Sequence, residues 1–157
     1  MGISVEMQNQ ITSSIDNQLR CHSKEFEDSD PRQRAWLEID PSSIESNTLI
    51  LRNRLSRTSD LMAVVKADGY GHGAQTVAQA ALRGGAKSLG VATLLEGIAL
   101  RKRGFNCPIL VLGNLIDNEE LEACFDWDLM PTLSNLREAL LCQKIAKTKE
   151  SLFKVQV

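Results

Sequence analysis

A chain of 157 residues with 43% hydrophobic and 24% charged side chains and a formal net charge of −2 has the composition of one folded soluble domain. Its 18 Lys and Arg are interspersed with 20 Asp and Glu, and four Phe, two Trp and one Tyr offer little stacking surface, which argues against a nucleic-acid interface. Cys21, Cys107, Cys124 and Cys142 are widely spaced with no C-x-x-C pair, and His22 and His72 lie far apart, so reduced thiols are expected rather than a metal site or a disulfide framework.

Residues 1–33 are polar, rich in Ser, Gln and acids, and carry neither the apolar core of a secretory signal nor a helix-length apolar span. They predict a flexible extension on a cytoplasmic protein that does not cross a membrane. The chain opens Met-Gly, but Glu6 stands where a myristoylation signal needs Ser or Thr, which argues against a lipid anchor.

From Arg34 onward short apolar runs alternate with amphipathic stretches. Strands are expected near Ala35–Ile39, Leu61–Val65, Ser88–Ala92, Pro108–Leu112, Leu129–Leu133 and Leu152–Val157. After the first, Asp40 can cap a helix with Pro41 at its first position, and Ile44, Leu51 and Leu55 recur on one face. Thr93 with Glu96 forms a capping box, Asp117 with Glu120 a second, and Ser134 precedes the stripe Leu136, Leu140, Ile145. The box at Thr93 reads as structural, its place after a strand leaving room for a minor role at the barrel mouth. Gly104 is placed to end its helix, and the basic run Arg101–Arg103 before it complements the helix dipole. The near-constant spacing of strand and helix predicts an α/β fold, a (β/α)8 barrel in preference to an open doubly wound sheet.

The second strand carries the chemistry. Met62 to Gly73 reads MAVVKADGYGHG, an apolar, β-branched run that suits a parallel strand and ends on Lys66. Lysine at a strand end can simply keep its ammonium in water. It can also sit where α/β folds place ligands, at the carboxyl end of the strand. Gly69, Gly71 and Gly73 permit positive φ and close backbone approach in the loop that follows. Tyr70, the only tyrosine, is either a cofactor contact or an ordinary loop aromatic packed on a helix. His72 is expected to fix the loop by bonding a backbone carbonyl or a water, and Asp68 to shape the turn through its side-chain oxygen.

The stretch AVVKADGYGHG resembles the pyridoxal phosphate lysine motif of alanine racemases, and RAWLEID before it and GVATLLEGIALRKRGFNCPILVLGN after it are similar to that family in order and spacing. The resemblance implies that 34–157 is an incomplete barrel domain, a partial (β/α)8 TIM-type barrel truncated before its last strands and the carboxyl-terminal β domain, to which the first strand would belong. It implies a racemase that interconverts L- and D-alanine, supplying D-alanine for peptidoglycan, with pyridoxal 5'-phosphate held by Lys66 as a Schiff base and its phosphate met by Tyr70. Lys66 would be one catalytic base. The second base, a tyrosine of the partner in a homodimer, the arginine at the pyridine nitrogen and most phosphate donors would lie outside these residues. The 157 residues are therefore expected to be inactive and unstable alone. Two other readings stay open: a racemase of serine or of a broader amino-acid range, and a truncated non-catalytic protein that binds the cofactor or serves in interactions.

Overall fold

The computed structural model describes residues 37–157. The polar extension 1–33, Cys21, His22 and the start of the expected first strand lie outside the described residues. Ile39–Val157 forms one compact unit.

Helix α1, Pro41–Arg54, begins as the sequence predicts. Asp40 accepts from the Ser42 amide at 2.8 Å and from the Ser43 hydroxyl at 2.6 Å. These bonds hold its carboxyl below the usual range. The strand expected at Ala35–Ile39 is not formed over its described part, Leu37–Ile39. Leu37 is exposed, and apolar alternation alone formed no strand there.

Four parallel strands follow, β1 Met62–Val64, β2 Ser88–Val91, β3 Ile109–Asn114 and β4 Met130–Thr132, in the spatial order β1-β2-β3-β4. The register pairs Ala63 with Leu89 and Leu89 with Ile109, so these residues share one face. That face carries the core, where Leu89, Val91, Ile109 and Val111 pack with Leu100, Leu121, Cys124 and Ile145 from the helices. Full burial of each Leu or Ile contributes roughly 1.5–3 kcal/mol. On the opposite face Val64 and Leu112 are each 39% exposed. Parallel strands in sequential order, joined by helices, are the pattern of part of a TIM-type barrel. The expected last strand, Leu152–Val157, is reduced to one parallel bridge between Gln156 and Thr132. Two backbone bonds secure it, Leu133 N–H to Gln156 O at 2.8 Å and Gln156 N–H to Pro131 O at 2.9 Å.

The connecting helices are α2 Ala74–Arg83, α3 Leu94–Lys102, α4 Asn118–Asp126 and α5 Leu136–Thr148. Two predicted faces are corrected. In α1, Leu51 and Leu55 are exposed and Thr48 is the buried residue. The reason lies across from it, where a Cβ on Gly84 would stand 2.5 Å from Glu45 O and 2.6 Å from Thr48 Cβ. A glycine here lets the two backbones touch, and so close an approach accepts a small residue rather than a leucine stripe. In α5 the cap is Asn135 rather than Ser134, and Leu136 and Leu140 are exposed while Glu138, Cys142 and Ile145 are buried.

Arg101 does more than meet a helix dipole. Its guanidinium donates to the carbonyls of Phe105, Cys107, Trp127 and Asp128 at 2.5, 2.8, 3.1 and 2.6 Å, tying together the loops before β3 and β4. Gly104, at φ +86°, ends the segment as predicted. Burial pushes the Cys124 thiol up to about 12, with Cys142 beside it adding to the effect. Burial likewise raises Cys107 and Cys142. No helix of the described residues is long and apolar enough to cross a membrane. Among the described residues no group of three or more His, Cys, Asp or Glu is arranged to hold a metal ion.

Candidate active site

Lys66 stands two residues beyond the end of β1, half-buried. The Val65 amide still donates to Gly90 O at 2.8 Å, so the sheet ladder fixes the chain up to the residue before the lysine. At Lys66 the chain enters a five-residue helical turn, Lys66–Tyr70, of left-handed sense. Ala67, Asp68, Gly69, Tyr70 and Gly71 have φ of 51, 50, 64, 56 and 83°, and Gly73 follows at 84°. The three glycines behave as the sequence predicts. The left-handed Ala67, Asp68 and Tyr70 were not legible, and each such residue costs about 1–2 kcal/mol, less for an Asp.

The turn is held by bonds at nearly every step. Gly69 N–H donates to Val65 O at 2.9 Å and Gly73 N–H to Asp68 O at 2.9 Å. Asp68 Oδ1 accepts from the Ala74 amide at 2.8 Å, capping the start of α2 from six residues back. His72 Nδ1 lies 3.2 Å from the carbonyl oxygens of Gly69 and of Tyr70. Carbonyls only accept, so the ring carries a proton on Nδ1 and donates. Asp68 and His72 thus fill the shaping roles predicted for them. Gly69 is buried, and a Cβ there would meet Val77 Cγ2 at 2.9 Å. Tyr70 is 61% exposed.

One participant was missed. Glu96 Oε1 accepts from the Ala67 amide at 2.7 Å. The capping-box pattern at Thr93 signalled the residue, but nothing local in sequence signals a bond reaching 29 residues back.

Residues 39–157 match the family described as alanine racemase, N-terminal domain. An alanine racemase of Prochlorococcus marinus is 62% identical over 128 residues, covering 82% of this chain and 33% of that protein. The crystal structure of an alanine racemase from E. faecalis superposes with a TM-score of 0.64 at 38% identity, over 68% of this chain and 28% of that one. A histidine racemase from Leuconostoc mesenteroides does so with a TM-score of 0.63 at 25% identity, over 73% of this chain and 30% of that one. The chain spans about a third of the length of the curated relatives it matches. With a lysine closing a barrel strand and a family match over most of its length, the chain belongs to the alanine racemase family, in the N-terminal domain that carries Lys66.

Proposed function

We propose that this chain supplies the cofactor-lysine half of an alanine racemase that uses pyridoxal 5'-phosphate, with Lys66 as the covalent anchor and one catalytic base. The observation that carries the reading is a half-buried lysine just past the carboxyl end of β1, followed at once by a strained, heavily bonded turn. Strain of this kind is kept where a ligand is positioned. The donors present suit the cofactor: a primary amine for its aldehyde, and the exposed Tyr70 hydroxyl for its phosphate.

When bound, the cofactor supplies an electron sink that makes loss of the α-proton accessible. Lys66 would hold the cofactor covalently through its nitrogen and, once the substrate's amino group has displaced it, would as a free amine take or return a proton on the face of the α-carbon that it occupies. Tyr70 orients the phosphate end. A single amine serves one face, so the opposite face needs a second base, which fits a homodimer in which the partner contributes it. The product would be D-alanine for peptidoglycan, made in the cytoplasm.

A second reading concerns substrate range. The histidine racemase shares this part of the scaffold, so the strand-end lysine is compatible with other amino acids, including serine. The wall that measures the side chain then lies elsewhere in the protein. Borohydride reduction of the full-length protein with pyridoxal phosphate, followed by peptide mapping, is expected to find the pyridoxyl group on Lys66. Lys66→Ala is expected to abolish racemisation of either alanine enantiomer while leaving thermal unfolding nearly unchanged. Label on another lysine with Lys66 unmodified overturns the assignment.

A further inference from the structure

Three helices begin with the same device, and they use it differently. At α3, α4 and α5 a Thr, Asp or Asn side chain accepts from the amide three residues on, where a Glu stands. Each Glu reaches back with Oε2 to the residue before the cap: Glu96 to Ala92 N–H at 2.7 Å, Glu120 to Ile116 N–H at 3.0 Å, Glu138 to Ser134 N–H at 2.6 Å. At α3 the same oxygen also takes the Thr93 amide at 3.2 Å and so completes a capping box, which α4 and α5 do not form. The second oxygen of Glu138 stays within its own helix start, accepting from Asn135 Nδ2 at 2.8 Å. The second oxygen of Glu96 crosses to another loop and takes the Ala67 amide at 2.7 Å.

That amide belongs to the peptide group joining Lys66 to Ala67. Fixing its N–H fixes the plane of the peptide, and with it the Lys66 carbonyl and the direction in which the chain leaves the Lys66 Cα. It also places a charged acceptor at the first left-handed residue, where bonds to ionised groups are the strong ones. The anchor is itself stiff. Gly97, next to Glu96, lets α3 lie so close to Leu129 that a Cβ would stand 2.8 Å from its Cδ1. The carboxylate is also tied through its other oxygen to the Ala92 and Thr93 amides at 2.7 and 3.2 Å, at the start of a helix packed on the core.

We infer that Glu96 is a positioning residue for Lys66: through the Ala67 amide it sets the lysine and the left-handed turn in place before any cofactor binds. The inference rests on the reading of Lys66 as the cofactor lysine. Its direct consequence, order in the turn without cofactor, can be measured apart from that reading.

The test compares Glu96→Gln with Glu120→Gln, which alters a helix start that reaches no other loop, in the full-length protein. Amide hydrogen exchange without cofactor is read over the peptide spanning Ala67–His72, and the rate of pyridoxal phosphate trapping at Lys66 is read by borohydride reduction. Glu96→Gln is expected to speed exchange in the turn, and to slow trapping, by about tenfold or more. Exchange in β2 and β3 should stay within about twofold, and Glu120→Gln should leave the turn unchanged. Glu96→Asp, too short to span both amides, should behave like Glu96→Gln, and the added effect of Glu96→Ala should fall on α3. Unchanged exchange and trapping in Glu96→Gln overturns the inference. So does faster exchange spread evenly through α3 and the sheet, which would make Glu96 an ordinary cap. Wild-type protein that traps nothing at Lys66 while the turn still loosens in Glu96→Gln defeats the cofactor reading and leaves the positioning role of Glu96 for the turn standing.

Discussion

The junction after β1 and the junctions after β2, β3 and β4 solve the same problem by opposite means. After β2, β3 and β4 the chain enters its helix through an extended cap residue, Thr93, Asp117 or Asn135, with its own side chain on the helix amides. After β1 it runs through a left-handed turn, and α2 starts at a Gly73 cap that has no side chain to offer. The missing cap is supplied from Asp68, and the missing rigidity from Glu96. Three junctions built from local rules are interchangeable in design. The fourth depends on distant partners, and it is the one that carries the lysine.

The largest expected effect is at the point where the β1 junction has no slack. Gly69→Ala places a Cβ 2.9 Å from Val77 Cγ2 and 3.2 Å from the Ala74 amide nitrogen, at φ +64°. Strain and overpacking together should cost roughly 2–4 kcal/mol, read as a lowered denaturation midpoint. A loss under about 1 kcal/mol would mean that the turn relaxes freely and that the contrast with the other junctions is smaller than it looks.

A matched pair sharpens the comparison. Asp117→Ala removes an ordinary cap and should cost about 1 kcal/mol with little effect at Lys66. Asp68→Ala removes the displaced cap of α2 and should cost a similar roughly 1–2 kcal/mol, but it should also weaken retention of pyridoxal phosphate. Equal effects of both changes on cofactor retention would erase the distinction.

The smallest effect near neutral pH belongs to the covered side of the sheet. Burial raises the Cys124 thiol from 9.0 to about 12. Its folded value exceeds its unfolded one, so its contribution to stability is fully present below pH 9.0 and is lost as pH rises toward about 12. Alkylation of Cys124 in the native protein at pH 7 should be far slower than in denaturant, and unfolding free energy should fall with pH only in that alkaline window. Rapid native labelling of Cys124 would place it outside the core.

The legible parts of this molecule were those governed by neighbours in sequence. Strands β1 to β4, the caps at Asp40, Thr93 and Asp117 and the end at Gly104 follow from periodicity and capping chemistry over a few residues. Lys66 was legible because a strand ran into it, and the glycines because a tight turn after a strand end calls for positive φ, their spacing alone being a weak signal. What could not be read depends on contacts across the fold. Nothing near Thr48 says that Gly84 will press against it, so the leucines of α1 looked like its buried face. The left-handed Ala67 and Tyr70 follow from continuity of the turn between glycines and from a carboxylate on another helix, neither of which a propensity records.

The sequential order of the strands has a kinetic consequence. Each strand pairs with the one made just before it, so the sheet grows at one edge as the chain lengthens, with every new pairing separated by a single helix. Short sequence separations close quickly and cost little loop entropy. The longest link of the lysine turn runs only to Glu96, whose helix packs its Gly97 against Leu129 just before β4, so the link is short in sequence while its backing comes with the later strands. The partners of the lysine turn are thus made early along the chain, and the packing that stiffens them is made later.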